Sequence, residues 1–244
     1  MSSAAMNHLK PPFLVINFGA PGSGKTHLTK YIAYCLVKKQ LVKCIHVFCG
    51  TASFEDEYNW LEKDAIHTNP KNWEEETKKI LETQKRNERF KRENILIIYD
   101  DWTGKIHWDK GLYSQMITDF RHLNISLVVN THYANKVPTL MREAAFNAGI
   151  FEQISKRSLD SLYEVFGQAA FENYKAFRDY IVQHTDRNKK IFIWYTRSPL
   201  EGQSRFQPVK CPAVPEFRVF NNKKRTREEG EGSEPEIEGE GSFE

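Results

Sequence analysis

Hydrophobic positions along this chain fall into short unbroken runs separated by stretches with helical spacing. One run is Phe13, Leu14, Val15, Ile16, Asn17 and Phe18; another is Ile95, Leu96, Ile97, Ile98 and Tyr99. Further runs cover residues 43–49, 125–130 and 191–195. Runs of this length predict strands, and continuous apolar ones predict strands covered on both faces. Leu28, Ile32, Leu36 and Val37 share one side of a helix predicted over 25–39. Other helices are predicted over 73–93, 110–122, 139–147, 158–166 and 168–184, with an extended piece over 149–153. The 73–93 helix carries only a thin apolar stripe, Ile80, Leu81 and Phe90. Its Lys78, Lys79, Lys85, Arg86, Arg89, Lys91 and Arg92 form either a solvated face or a set of phosphate contacts. Strands alternating with helices predict an α/β domain on a mostly parallel sheet, with ligands at the carboxyl ends of the strands.

At 244 residues, 40% hydrophobic and 13% aromatic, the chain can bury one sizeable core. The domain is expected over 13–220, between a flexible N-terminus at 1–12 and a tail at 221–244 rich in Glu, Gly, Ser and Pro, which predicts disorder. No run approaches the ~18 apolar residues of a membrane span, and the first ten residues lack a signal-peptide core. Cys35, Cys44, Cys49 and Cys211 show no metal spacing, so reduced thiols and an intracellular setting are expected. The formal charge of +3 hides an asymmetry. Residues 228–244 hold eight glutamates and no basic residue, so the rest of the chain carries +11. A basic body with an acidic tail suits a nucleic-acid partner. The tail opens with Lys223, Lys224, Arg225, Thr226 and Arg227, a pattern shared by nuclear-import signals and ordinary solvated runs.

Chemistry concentrates after the first strand. Gly19, Ala20, Pro21, Gly22, Ser23, Gly24, Lys25 and Thr26 form a complete phosphate-binding loop between a strand and a helix. Glycines let backbone N–H groups turn toward phosphate oxygens, and the helix N-terminus adds a positive dipole end. Lys25 is the candidate for the β- and γ-phosphates and Thr26 for Mg²⁺, with His27 as a neighbouring nucleotide contact. The strand at 95–99 runs into Asp100 and Asp101. Asp100 is the candidate for holding Mg²⁺, and Asp101 for activating water.

The strand at 125–130 ends in Asn130, Thr131 and His132. Asn130 and His132 are both candidates for sensing the γ-phosphate. Arg142 and Arg121 are candidates for neutralising charge on the transferring phosphoryl group, from within the subunit or from a neighbour. Residues 135–138 do not spell the base-reading motif of GTPases, and no arginine-bearing lid of a small-molecule kinase is evident.

The order of these features resembles the poxvirus-type DNA-packaging ATPases, in the FtsK–HerA branch of phosphate-loop motors. The resemblance is carried by the phosphate loop, by residues 95–101, by residues 121–133, by Pro138 with Arg142, and by Phe151, Leu162, Tyr163 and Phe166. It implies a RecA/FtsK-like, three-layer α/β fold with the sensor strand between the phosphate-loop strand and the Asp100–Asp101 strand. It also implies ATP and Mg²⁺ as cofactors, a homo-oligomeric ring, and translocation of double-stranded DNA without regard to sequence. Capsid proteins would be partners, in an infected cell or virion. His132 falls where that branch commonly carries glutamine, Asp101 where many motors carry glutamate, and Arg142 where an arginine for a neighbouring subunit is expected. Two rivals remain: another nucleic-acid ATPase such as a helicase or loader, and a nucleotide-binding assembly protein with little turnover.

Overall fold

The computed structural model describes residues 9–52, 56–153 and 155–221, without the side chain of Phe90. The expectations for residues 1–8, for the tail beyond Asn221 and for Phe90 lie outside the described residues. Among the described residues the apolar runs pair into one sheet. Its strands are β1 (Leu14–Phe18), β2 (Cys44–Cys49), β3 (Ile66–His67), β4 (Ile95–Asp100), β5 (Ile125–Thr131), β6 (Asn147–Ile150), β7 (Ile191–Thr196) and β8 (Phe206–Lys210). They lie in the order β3-β2-β4-β5-β1-β6-β7-β8. The first six pair in parallel, while β7 runs antiparallel to both β6 and β8. The sensor strand β5 therefore separates β4 from the phosphate-loop strand β1, as the resemblance implies.

Helices α1 (Lys25–Lys38), α2 (Trp73–Arg86), α3 (Gly111–Asp119), α4 (Thr139–Ala144), α5 (Lys156–Leu162) and α6 (Tyr174–His184) cover both faces. Side chains alternate along a strand, so β1 feeds two cores. Leu14, Ile16 and Phe18 pack with Leu81 of α2, Met116 of α3, Leu162 of α5 and Phe177 of α6. Val15 packs on the opposite face with Leu28, Ile32 and Leu36 of α1. Leu9 joins that second core.

After β8 the chain crosses behind α1. Phe217 meets Tyr34 edge-on and Trp60 at a tilt, with ring centroids 5.4 and 4.9 Å away. The Val219 N–H donates to the Trp60 carbonyl at 2.9 Å. Asn221 then caps the β2 edge: its side-chain amide accepts from Ile45 N–H and donates to the Ile45 carbonyl, both at 2.9 Å.

Several elements are shorter than the periodicity predicts. Helix α2 stops at Arg86, because the Gln84 amide donates to the carbonyls of Glu93 and Leu123 and pulls residues 87–93 back toward the start of β4. Its cations pair locally: Lys79 lies 3.0 Å from both Glu75 and Glu76, and Lys91 lies 2.8 Å from Glu88. These pairs lie on the exposed side of the segment, where they are worth little. The helix predicted from residue 168 begins at Tyr174, where the Asn173 side chain caps the Ala176 N–H. Residues 163–167 form a π turn after α5. Strand β8 escapes the pattern because it contains Pro208 and buries only Phe206 and Val209. No helix among the described residues is long and apolar enough to cross a membrane.

Candidate active site

The phosphate loop leaves β1 at Phe18 and is anchored by Gly19 N–H donating to the Thr131 carbonyl at 3.1 Å. Gly22 (φ 66°) and Gly24 (φ 106°) take left-handed backbone that other residues rarely adopt. Helix α1 starts immediately afterwards, so its free N–H groups and dipole face the loop. Lys25 is 5% exposed, and its Nζ donates to the carbonyls of Gly19 and Ala20, each at 2.9 Å. Burial pulls its pKa down to about 8, against the opposing pull of Asp100. A buried cation with no carboxylate within hydrogen-bond reach is costly, and an anion in the loop removes that cost. The site thus fits a polyphosphate.

Thr26 Oγ1 donates to Asp100 Oδ2 at 2.9 Å. This hydroxyl–carboxylate pair beside the loop is an all-oxygen donor set that suits Mg²⁺. Asp100 also accepts from Tyr58 Oη at 2.7 Å on Oδ2, and from Asp101 N–H at 3.0 Å on Oδ1. Asp101 follows with φ 48°, a left-handed conformation, and its carboxylate lies 2.8 Å from Lys105 Nζ. A cleft of about 480 Å³ joins these groups, lined among others by Gly24, Lys25, Thr26, Asp100, Asp101 and His132. Pro21, Gly22, His27, Cys49, Thr51 and Glu57 complete its walls. His27 Nε2 is fixed by donating to the Pro212 carbonyl at 2.9 Å.

The two sensor candidates part company. His132 enters the cleft, with Nδ1 3.2 Å from Lys25 Nζ and 3.0 Å from the Gly19 carbonyl. Unprotonated Nδ1 accepts from Lys25, and protonated Nδ1 donates to Gly19. Asn130 is 1% exposed and turned away from the cleft lining; its Oδ1 accepts from Asn17 Nδ2 at 2.9 Å and Thr29 Oγ1 at 3.0 Å. Asn130 therefore ties β5 to β1 and α1 rather than facing a phosphate. The strand ladder ends at Thr131, so only His132 is free to leave the sheet.

Neither arginine candidate reaches the loop of its own subunit. Arg121 donates weakly to the Ala144 carbonyl at 3.4 Å and lies over the Phe146 ring at 5.1 Å, near the amino ends of β5 and β6. That is the edge opposite the cleft, and there it caps the end of α4. Arg142 donates to Thr139 Oγ1 at 3.0 Å on α4. The arginine that does meet the loop is Arg187, between α6 and β7. It donates from Nε to the Gly22 carbonyl at 3.1 Å and from Nη2 to the Pro21 carbonyl at 3.0 Å. Sequence reasoning missed Arg187, Lys105 and Tyr58. Arg187 stands too far along the chain to carry a local signal, whereas Tyr58 had one: an aromatic cluster in an irregular segment.

The model of a protein family described as Poxvirus A32 protein matches residues 4–193. The fold is similar to the genome packaging NTPase B204 of Sulfolobus turreted icosahedral virus 2. Its sulfate complex gives a TM-score of 0.62 at 14% identity, covering 85% of this chain and 100% of that one. Its ATP-gammaS complex gives 0.60 at 13% identity, covering 82% and 97%. The cytoplasmic domain of the Thermomonospora curvata type VII secretion ATPase EccC gives 0.52 at 15% identity, covering 83% of this chain and 26% of that one. No curated protein matches the chain. The family match takes in the phosphate loop, both acids and the sensor strand, and by it the chain belongs to the poxvirus A32 protein family, the poxvirus-type packaging ATPases.

Proposed function

We propose that this protein is an ATP-driven translocase that moves double-stranded viral DNA into a capsid, working as a homo-oligomeric ring inside the infected cell. The observation that carries the reading is the meeting of Lys25, Thr26 and Asp100 around the phosphate loop, in a chain of the A32 family. Residues 19–26, with His27, hold the nucleotide. Thr26 and Asp100 would hold Mg²⁺, which would supply neutralisation of the phosphate charge. Lys25 exchanges its carbonyl partners for phosphate oxygens. Asp101 orients and deprotonates the attacking water through the carboxylate oxygen that Lys105 leaves free. His132 reports the γ-phosphate to the loop through its choice between Lys25 and Gly19. Arg142, half-buried on α4 and unused in its own cleft, stabilises the transition state in a neighbouring subunit. The basic body grips DNA phosphates without reading bases, which makes binding steeply salt-dependent.

One observation favours a second reading, a nucleotide-binding assembly protein with little turnover: the water-activating acid is already paired with Lys105. Steady-state hydrolysis with and without long duplex DNA, over a range of protein concentrations and beside Lys25→Ala, separates the two. Activity that rises with DNA, climbs more than linearly with protein and vanishes with Lys25 supports the motor. Tight nucleotide binding with no turnover in any condition supports the assembly protein.

A further inference from the structure

We propose that Tyr58 is a positioning residue for Asp100, and that its hydroxyl sets how well the site takes Mg²⁺. The inference rests on the reading of Thr26 and Asp100 as the metal-holding pair. Tyr58 is 2% exposed and lies on the single turn Asp56–Tyr58 that follows β2. Its Oη donates to Asp100 Oδ2 at 2.7 Å, the same oxygen that accepts from Thr26 Oγ1 at 2.9 Å. Asp100 Oδ1 accepts from the Asp101 N–H at 3.0 Å. A carboxylate offers about four acceptor positions. Three are therefore occupied, and the one remaining lies on Oδ1. Tyr58 thus fixes the rotation of the carboxylate and leaves it a single free acceptor position.

The hydroxyl stays a donor throughout the working pH range. Burial, reinforced by the neighbouring Asp100 charge, holds the phenol well above its ordinary pKa. The turn itself is fastened. Trp60 Nε1 donates to the Glu57 carbonyl at 3.0 Å, its ring packs at a tilt against Phe217, and its carbonyl accepts from Val219 N–H. The segment that crosses behind α1 therefore props the turn, and the turn props the acid. Partners that orient a metal-holding group in this way govern affinity more than fold, because the ligand survives their removal while its orientation does not.

The test is equilibrium binding of a fluorescent, non-hydrolysable ATP analogue to the full chain, titrated with Mg²⁺. Tyr58→Phe keeps the ring and deletes the donor. Half-saturating Mg²⁺ is expected to rise about tenfold, with affinity for the metal-free nucleotide unchanged. A core variant, Ile32→Val, controls for lost stability and should leave half-saturation where it was. If Tyr58→Phe does not fold, Tyr58→Met is read in the same way. An unchanged half-saturation in a folded Tyr58 variant overturns the proposal. If the wild-type chain binds the analogue with no dependence on Mg²⁺, the metal reading of Thr26 and Asp100 fails first, and the two failures are told apart.

Discussion

Lys105 holds Asp101 at two points, with Nζ 2.8 Å from Oδ2 while also donating to the Asp101 carbonyl. The grip stabilises a left-handed aspartate, a conformation that costs non-glycine residues of order 1–3 kcal/mol. It also aims the carboxylate. Lys105→Met is expected to lower kcat about tenfold with little change in KM, since a water-activating acid works only when positioned. Asp101→Asn should cost more, about a hundredfold or beyond, while nucleotide binding survives. Single-turnover hydrolysis beside equilibrium nucleotide binding checks both. Faster hydrolysis in Lys105→Met would mean that the pair restrains the acid instead of aiming it.

Arg187 braces the phosphate loop from outside, through the Pro21 and Gly22 carbonyls. Arg187→Gln removes the charge-assisted donors and lets the loop sample shapes that do not fit phosphate. KM for ATP should rise about fivefold with kcat held, as expected for loss of roughly 1 kcal/mol of uniform binding. A drop in kcat at constant KM would instead give Arg187 a part in the transition state.

Arg142 and Arg121 should separate cleanly. Mixing inactive Arg142→Ala with inactive Lys25→Ala is expected to restore part of the activity, because mixed rings contain interfaces with both residues intact. No recovery at protein concentrations that support assembly would count against a shared site. Arg121→Ala should cost up to about 1 kcal/mol of stability by uncapping α4, with hydrolysis per folded subunit unchanged. Denaturant titration beside the activity assay reads both effects.

His46 gives stability a pH dependence unrelated to the nucleotide. Its Nδ1 lies 3.3 Å from His67 Nε2 and its Nε2 lies 3.3 Å from Cys44 Sγ. Burial, then the neighbouring His67, pulls its pKa down to about 4, while Asp64 and Glu76 pull weakly upward. The unfolded chain takes up a proton near pH 6.5, before the folded chain does. Stability is therefore level above that pH and falls between about 6.5 and 4, by a few kcal/mol at most. Urea midpoints at pH 7.5 and 5 should differ more in the wild type than in His46→Gln. Equal differences would remove His46 as the cause.

The phosphate loop, the strand ending in Asp100 and Asp101, and the α/β alternation were legible because each is written in consecutive residues. The place of β5 beside β1 was legible only through the family resemblance. What escaped is what distant segments supply. Tyr58 meets Asp100, and Arg187 meets Gly22, only after the sheet has brought their loops together. Asn130 and His132 differ by one strand repeat and look equivalent in sequence. They separate because the ladder ends between them, leaving one under α1 and the other beside Lys25. Helix α2 ran short for a similar reason, since the Gln84 amide found partners at Glu93 and Leu123 that helical periodicity does not register.

The capping of β2 by Asn221 bears on how copies of this chain can meet. An open strand invites another chain to extend the sheet. Here the Ile45 amide and carbonyl are already occupied by the Asn221 side chain, and the far border strand β8 carries Pro208, which has no N–H to offer. The cap covers the stretch of β2 that the two-residue border strand β3 leaves bare, so neither that stretch nor β8 at Pro208 offers a complete strand edge. At these two places a neighbouring copy would meet side chains rather than extend the sheet.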